Sequence, residues 1–356
     1  MILLEQLYEL EFNKINFLER KKSIQYNKTI LIGPPKSGKS YLIYDYLSNF
    51  QLNEYLYIDL KDPKINDFSF LQYLQDFIND KDITLLVLEN FDFSFELPIV
   101  NNIVITTTIV KEIKDFHTLN LMPLDFEEFI LFDTKHQNIL NSFNNFLKYG
   151  NLPEILEYNE QKKQQRNYEI CKLYCNNDIE LKILILLIRS ASEKKSIFQL
   201  FNQLKKTTKI SKDRFYKVVD NFTENKLIFF IQKYNQPKAT KKIFLFNHAL
   251  LSISTYQKNF NNLFKNMIFL ELYHKKYQIY YLDNIDFYIP SLDTIILSIP
   301  FFNQFLWEKL AKNIILILQE YNITNIYIIT VNNTQTIYIE DIEVNIIPFS
   351  NWVLGE

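Results

Sequence analysis

A short apolar run that leads into a glycine-containing loop constrains this chain more than any other feature. The run Thr29–Ile32 is followed by GPPKSGKS, which fits the pattern G-x-x-x-x-G-K-S, and residues 41–47 then have the apolar spacing of a helix. The chain has 356 residues but only four glycines, and two of them stand where the pattern requires them. Average usage of about 7% would give roughly 25. The pattern predicts a phosphate-binding loop between a strand and a helix.

Such a loop holds a phosphate chain with backbone N–H groups at the positive end of a helix, one ammonium group and one metal-ligating hydroxyl. We therefore expect Lys36 and Lys39 to balance phosphate charge and Ser40 to ligate Mg²⁺, with ATP and Mg as cofactors. The predicted nucleotide-binding residues are Gly33, Pro34, Pro35, Lys36, Ser37, Gly38, Lys39 and Ser40, with Thr106 at the end of a later strand.

Strand-like and helix-like segments alternate around this loop. One or two amphipathic helices are expected within residues 1–26, with apolar positions over Leu4–Leu10 and then Ile15–Leu18. After the loop helix come a strand, a helix and two strands, over Glu54–Leu60, Phe68–Ile78, Ile83–Asn90 and Ile99–Ile105. The third strand of the chain, Ile83–Asn90, is a continuous apolar run, which is typical of a strand in a parallel sheet that is buried on both faces. The pattern predicts an α/β nucleotide-binding domain with a doubly wound parallel sheet.

The acid at the end of the third strand, Glu89, is the expected partner of Ser40 in holding Mg²⁺. The next position normally supplies a carboxylate that activates water, but here it is Asn90, and an amide cannot accept a proton from water. Asp92 would substitute only if the strand end bends. Thr106 or Thr107 is expected to contact the γ-phosphate. In the alternative interpretation, Glu89 and the threonines are ordinary residues at strand ends.

Two later segments resemble a known family. Residues 121–129, LMPLDFEEF, and 146–154, FLKYGNLPE, are similar to the "PLSFxEF" and "YLxxGGxPE" segments of a large prokaryotic family of AAA-like P-loop ATPases. The resemblance covers nearly the whole chain, and it implies an ATPase domain, a winged helix and a domain similar to PD-(D/E)xK nucleases. That family usually has an arginine shortly before the first segment, but residues 111–122 contain none.

The implied domains are residues 1–160, 161–255 and 256–356. The second has three helical segments and two strand-like runs, which fits a winged helix: Leu181–Ile188, Ile197–Leu204, Ser211–Phe222, Leu227–Gln232 and Lys242–Phe246. Six cations and one acid over residues 205–217 give a local net charge of +5. We consider a phosphate-contacting surface that includes Lys209, Lys212, Arg214 and Lys217. A solvated or protein-docking face is the alternative.

The last hundred residues have the helix and strand order of the nuclease-like fold. The resemblance implies a strand aspartate, which Asp286 fits, but the E-x-K positions are Ser298, Ile299 and Pro300, and Lys265 precedes Asn266 where the family has Glu-Asn. One carboxylate cannot hold the metal ion that such a nuclease needs. We expect a catalytically inactive, small α/β domain in which Glu271 is the one other acid nearby.

Composition adds limits rather than a function. The net charge of −2 gives no global argument for nucleic acid or membrane binding. Cys171 and Cys175 are expected to be reduced thiols. The N-terminus lacks the pattern of a signal peptide. No apolar run approaches the length of about 18 residues that a membrane-spanning helix needs. We expect a cytoplasmic ATP-binding switch with weak hydrolysis and no membrane insertion, whose partner is double-stranded DNA or a protein. A DNA-binding regulatory or defence protein is the alternative.

Overall fold

A computed structural model describes residues 2–11, 19–65, 67–109, 111–135, 138–254 and 259–355. Contacts divide the chain into two compact units, Met1–Met122 and Pro123–Glu356. The predicted helix over Ile15–Leu18 lies outside the described residues. Within them, no helix is long and apolar enough to cross a membrane.

The first unit is a parallel α/β sheet, as predicted. Its helices and strands are α1 (Ile2–Tyr8), β1 (Lys28–Ile32), α2 (Lys39–Leu47), β2 (Tyr55–Asp59), α3 (Leu74–Asp80), β3 (Leu85–Glu89), β4 (Asn102–Thr106) and β5 (His117–Asn120). The five strands lie in the order β2-β3-β4-β1-β5, and every neighbouring pair is parallel. The strand that precedes the loop therefore lies between β4 and β5.

Both faces of this sheet are buried, which explains the continuous apolar run of β3. Successive side chains of a strand point to opposite faces. Leu86 and Leu88 pack with α1 and α3, whereas Leu85 and Val87 pack with α2. Apolar and polar residues do not alternate along β3, because neither face of the sheet is exposed to water. The edge strand β5 was not predicted, because its sequence HTLN is partly exposed and has no apolar run.

In its described residues, the second unit contains ten α-helices and eight strands. They are α4 (Phe126–Phe132), α5 (Ile139–Tyr149), α6 (Glu160–Leu173), α7 (Asp178–Arg189), α8 (Ile197–Lys205), α9 (Lys212–Glu224), β6 (Ile228–Lys233), β7 (Lys242–Leu245), α10 (Leu250–Ser254), α11 (Phe260–His274), β8 (Tyr280–Leu282), β9 (Ile285–Ile289), β10 (Thr294–Ser298), α12 (Gln304–Glu320), β11 (Asn325–Thr330), β12 (Gln335–Ile339), β13 (Ile342–Pro348) and α13 (Phe349–Leu354).

The predicted three helices and hairpin over 178–254 are present as α7, α8, α9 and β6–β7. Ser211 caps α9 as predicted, because its hydroxyl accepts a hydrogen bond from the Arg214 N–H at 3.3 Å. The hairpin continues into a mixed sheet of the order β12-β13-β11-β10-β9-β8-β6-β7. The link is a parallel pairing of β6 with β8. The division at residues 160 and 255 therefore stays a prediction.

The second of the two segments that resemble the ATPase family lies in the second unit, and so do residues 123–129 of the first. Asp125 and Glu128 form a capping box at the start of α4, and the Phe126 N–H donates to Glu271 Oε1 at 2.9 Å. Glu271 is thus a buried helix-capping acid. The Asn151 amide donates to the Phe246 carbonyl at 3.2 Å, so the second segment is joined to the end of β7. Both segments contribute to packing.

A buried histidine belongs to the same region. His248 is fully buried, and its Nε2 lies 2.8 Å from the Phe146 carbonyl oxygen. Burial lowers the pKa of His248 to about 4. The imidazole is therefore neutral at physiological pH, with its Nε2–H donated to that carbonyl, and it acts as a core residue.

Candidate functional site

The loop between β1 and α2 has a backbone that few sequences can adopt. Its residues Gly33, Lys36 and Gly38 have φ angles of +146°, +64° and +98°. A Cβ atom at Gly33 would lie 2.1 Å from the Leu121 carbonyl oxygen, so only glycine fits between β1 and the chain that follows β5. Ser37 is buried within the loop, and its N–H donates to the Pro34 carbonyl at 3.3 Å. The loop is therefore shaped by its own sequence and by β5.

The ammonium group of Lys39 lies over this loop. Its Nζ donates to the carbonyl oxygens of Gly33 and Pro34, both at 2.9 Å. Burial lowers the pKa of Lys39 to about 8, against the opposing effect of the nearby Glu89 carboxylate. Lys39 is half-buried, and its hydrogen bonds among the described residues go to neutral carbonyls, so an anion would stabilise its ammonium group further.

Glu89 lies beside the start of α2, as its position at the end of β3 predicts. Its Oε2 accepts hydrogen bonds from Ser40 Oγ at 3.2 Å and from Tyr57 OH at 2.9 Å. Its Oε1 is buried and has no hydrogen-bond partner among the described residues. Burial raises the pKa of Glu89, although the two hydroxyl donors lower it. A buried carboxylate with one unpaired oxygen next to a serine hydroxyl fits a Mg²⁺ ligand set.

Asn90 follows Glu89, and its side chain is hydrogen-bonded to the neighbouring strand. Its Nδ2 donates to Asp59 Oδ1 at 2.7 Å, at the end of the neighbouring strand β2. Its N–H donates to Thr106 Oγ1 at 2.9 Å, and its φ is +58°, a conformation that asparagine tolerates better than most residues. Thr106 therefore joins the ends of β3 and β4, and its role toward a γ-phosphate stays a prediction.

The other polar residues near these strand ends have local partners. Asp92 is exposed, and its Oδ1 accepts from the Ser94 N–H at 3.0 Å. Thr107 accepts from the Ile109 N–H at 3.0 Å. Neither hydrogen bond involves Ser40. The predicted residues that the fold does bring together are Ser40, Glu89 and Lys39.

Sequence reasoning missed Arg20, which supports the loop. Its Nη1 donates to the Ser37 carbonyl at 2.8 Å and its Nη2 to the Met122 carbonyl at 2.9 Å. The chain has only four arginines, so an arginine shortly before β1 was a signal that could have been used. The guanidinium has five donors in a fixed fork, which suits it to hold two carbonyls at once. Its contacts make it a positioning residue of the loop.

In the second unit, the predicted strand aspartate is neutralised by lysines. Asp286 in β9 accepts from the Ser298 N–H at 2.9 Å, and its Oδ1 lies 2.6 Å from Lys265 Nζ and 3.7 Å from Lys242 Nζ. Burial lowers the pKa of Lys242 to about 8, while Asp286 raises it. The oxygen that a nuclease would offer to a metal ion is thus paired with ammonium groups. Asn266 is buried and bonds both backbone groups of Leu245, so it is structural.

The basic segment over residues 205–217 lies on the surface, whereas Cys171 is buried and Cys175 is half-buried. The side chains of the segment are all exposed, namely Lys205, Lys206, Lys209, Lys212, Arg214 and Lys217. Cys171 and Cys175 are free thiols, and burial raises the pKa of each to about 12. A thiol with such a pKa is protonated at neutral pH, which disfavours reaction of either cysteine as a thiolate.

Comparison with known proteins gives distant similarity. No family model matches the chain. An uncharacterized protein of Methanocaldococcus jannaschii is 21% identical over 292 residues, and the match spans 68% of this chain and only 66% of that protein.

Solved structures with some similarity include a Walker-type ATPase of Pyrococcus abyssi, at 13% identity over 64% of this chain and 91% of that chain with a TM-score of 0.43. The ORC1 protein of Aeropyrum pernix in complex with DNA shares 10% identity over 65% of this chain and 87% of its own, with a TM-score of 0.34. Drosophila ORC bound to DNA shares 11% identity over 61% and 86%, with a TM-score of 0.25. Because these scores are low, the site rests on the geometry described above.

Proposed function

We propose that the first unit binds a Mg-nucleotide, with ATP as the expected ligand, and hydrolyses it weakly. The observation that carries the proposal is the loop Gly33–Ser40 with Glu89. There the half-buried Lys39 ammonium and the Ser40 hydroxyl lie near a carboxylate whose Oε1 has no hydrogen-bond partner among the described residues. Ser40 and Glu89 would hold Mg²⁺, which neutralises phosphate charge when bound. The loop N–H groups and Lys39 would bind the phosphates.

The same groups support a switch. Lys39 uses two of its three N–H donors on the Gly33 and Pro34 carbonyls, so a bound phosphate would compete with these carbonyls for the ammonium group. Arg20 bonds the Ser37 carbonyl, so a change in the loop would also reach the segment before β1. In this proposal the nucleotide state changes the contacts of the winged helix and of the degenerate nuclease-like domain with each other or with a partner.

Replacement of Lys39 with alanine is expected to weaken Mg-ATP binding by about 100-fold, because charge-assisted hydrogen bonds to phosphate contribute about 1.5–3 kcal/mol. A titration with a fluorescent ATP analogue measures this for the wild type and for Lys39→Ala. The matched control is Lys64→Ala, which removes an exposed lysine of the same unit. Equal affinity of wild type and Lys39→Ala would contradict the proposal.

A second candidate function, DNA binding through α9, is favoured by the exposure of all six cations over residues 205–217. Neutralising Lys212 and Arg214 together is expected to weaken binding to duplex DNA and to lower the slope of log K against log salt by about 2, because each phosphate contact contributes about 0.9. Gel retardation over a salt series measures both. Replacing the exposed Lys309 and Lys312 of α12 is the control. Absence of retardation of the wild type at low salt would exclude this candidate.

A further inference from the structure

The carboxylate that is missing after Glu89 has a counterpart on the neighbouring strand. Asp59 ends β2, and the parallel pairing of β2 with β3 places it directly opposite Glu89. Tyr57 and Asp59 are two residues apart on one strand, so their side chains leave the same face of the sheet. Tyr57 OH donates to the same Glu89 oxygen that accepts from Ser40. Asp59 therefore starts on the face of the sheet that carries the loop.

Asn90 orients this aspartate. Its amide Nδ2 donates to Asp59 Oδ1 at 2.7 Å, and its own backbone is fixed by the hydrogen bond from its N–H to Thr106. Oδ1 also accepts from the Lys61 N–H at 3.0 Å. Among the described residues, both hydrogen bonds to the Asp59 carboxylate are therefore accepted by Oδ1. Asp59 is half-buried, so water reaches it.

We infer that Asp59 is the catalytic carboxylate of nucleoside triphosphate hydrolysis at this site, and that Asn90 is its positioning residue. The inference rests on the proposed nucleotide binding. In the reaction, the oxygen of water bonds to the γ-phosphorus while the bond from that phosphorus to the bridging oxygen breaks, and the bond electrons stay on the diphosphate. The water proton passes to Asp59 Oδ2, which later returns it to solvent. The products are a nucleoside diphosphate and inorganic phosphate.

The arrangement accounts for the asparagine at position 90. An amide cannot accept a proton from water, but it can donate a hydrogen bond that fixes a carboxylate. Asn90 uses its donor on Asp59, so the two residues together supply what one glutamate after Glu89 would supply. In this arrangement the general base is Asp59 at the end of β2, and Asn90, the residue after Glu89, holds it in place.

The test compares Asp59→Asn with wild type in three measurements on the full chain. These are the affinity for a fluorescent ATP analogue, the identity of the nucleotide recovered from the protein after incubation with Mg-ATP, and phosphate release. Asp59→Asn is expected to bind within about threefold of wild type and to return ATP rather than ADP. Its phosphate release is expected to fall by about 100-fold or more, the usual effect of removing a general base. Asp92→Asn, at an exposed acid near the same strand end, is expected to match wild type.

A second variant tests the geometry. Adding Asn90→Glu to Asp59→Asn places a carboxylate at the more usual position, and we expect phosphate release to recover at least about tenfold. Phosphate release by Asp59→Asn at the wild-type rate would overturn the inference, and so would a wild type that binds ATP and returns it all unhydrolysed. Failure of the wild type to bind any nucleotide would instead overturn the proposed function itself. The binding measurement separates these two cases.

Discussion

Nucleotide binding is expected to be lost when Gly33 is replaced with alanine. The added Cβ would lie 2.1 Å from the Leu121 carbonyl oxygen, and the φ of +146° is strained for any residue with a side chain. The obstacle is backbone, which cannot rotate away as a side chain does. Relief requires the loop to move away from the chain after β5, which also displaces the Gly33 carbonyl that holds Lys39. We expect the affinity for Mg-ATP to fall by at least about 100-fold, or roughly 3 kcal/mol.

Titration with a fluorescent ATP analogue measures the loss, and circular dichroism checks that the sheet is retained. The matched control is Gly355→Ala, because Gly355 also has a positive φ, +76°, but no atom lies within 4 Å of its added Cβ. We expect the control to bind nucleotide as wild type does. A Gly33→Ala protein that keeps wild-type affinity would show that the loop does not bind the phosphates.

Replacement of Asp286 with alanine is expected to destabilise the second unit by about 3 kcal/mol. The carboxylate lies 2.6 Å from Lys265 Nζ, and Lys242, whose side chain is only 7% exposed, has it as its ion-pair partner. Removing one member of a buried ion pair leaves an uncompensated charge, which costs about 3–5 kcal/mol. The Ser298 N–H also loses its acceptor. Both tryptophans of the chain, Trp307 and Trp352, lie in the second unit, so their fluorescence during urea unfolding measures its stability.

Asp283 provides a matched control for this change. It also forms ion pairs with two lysines, at 3.5 Å to Lys194 and 2.5 Å to Lys233, but its side chain is 64% exposed. Exposed pairs contribute about 0–1 kcal/mol, so Asp283→Ala is expected to change stability little. Equal unfolding free energies for the two variants would contradict a structural role for the ion pairs of Asp286 with Lys242 and Lys265. Loss of a Mg²⁺-dependent nuclease activity in Asp286→Ala would contradict the interpretation of this domain as inactive.

The interior strands of both sheets and the edge strands β2 and β7 could be predicted from the sequence, whereas the edge strands β5 and β12 could not. β3 is a run of five buried residues, whose apolar side chains are required by burial on both faces. β5 and β12 were missed because they are short edge strands with exposed residues, which form through pairing with β1 and β13. The edge strands β2 and β7 are mostly buried and therefore have the apolar pattern that the exposed edge strands β5 and β12 lack.

Some residues of the candidate site could also be predicted from the sequence, and others were found only in the structure. The sequence determined the loop Gly33–Ser40 and the acid Glu89, because glycines, a lysine and a serine at fixed spacing are local requirements of phosphate binding. Tertiary structure decided what surrounds them. Arg20 reaches the loop from before β1, and Asp59 reaches Asn90 from β2. These partners are 17 and 31 residues apart in the chain. The parallel pairing of β2 with β3 brings Asp59 to Asn90, and the folded loop brings the Ser37 carbonyl to Arg20, so neither contact follows from a local sequence pattern.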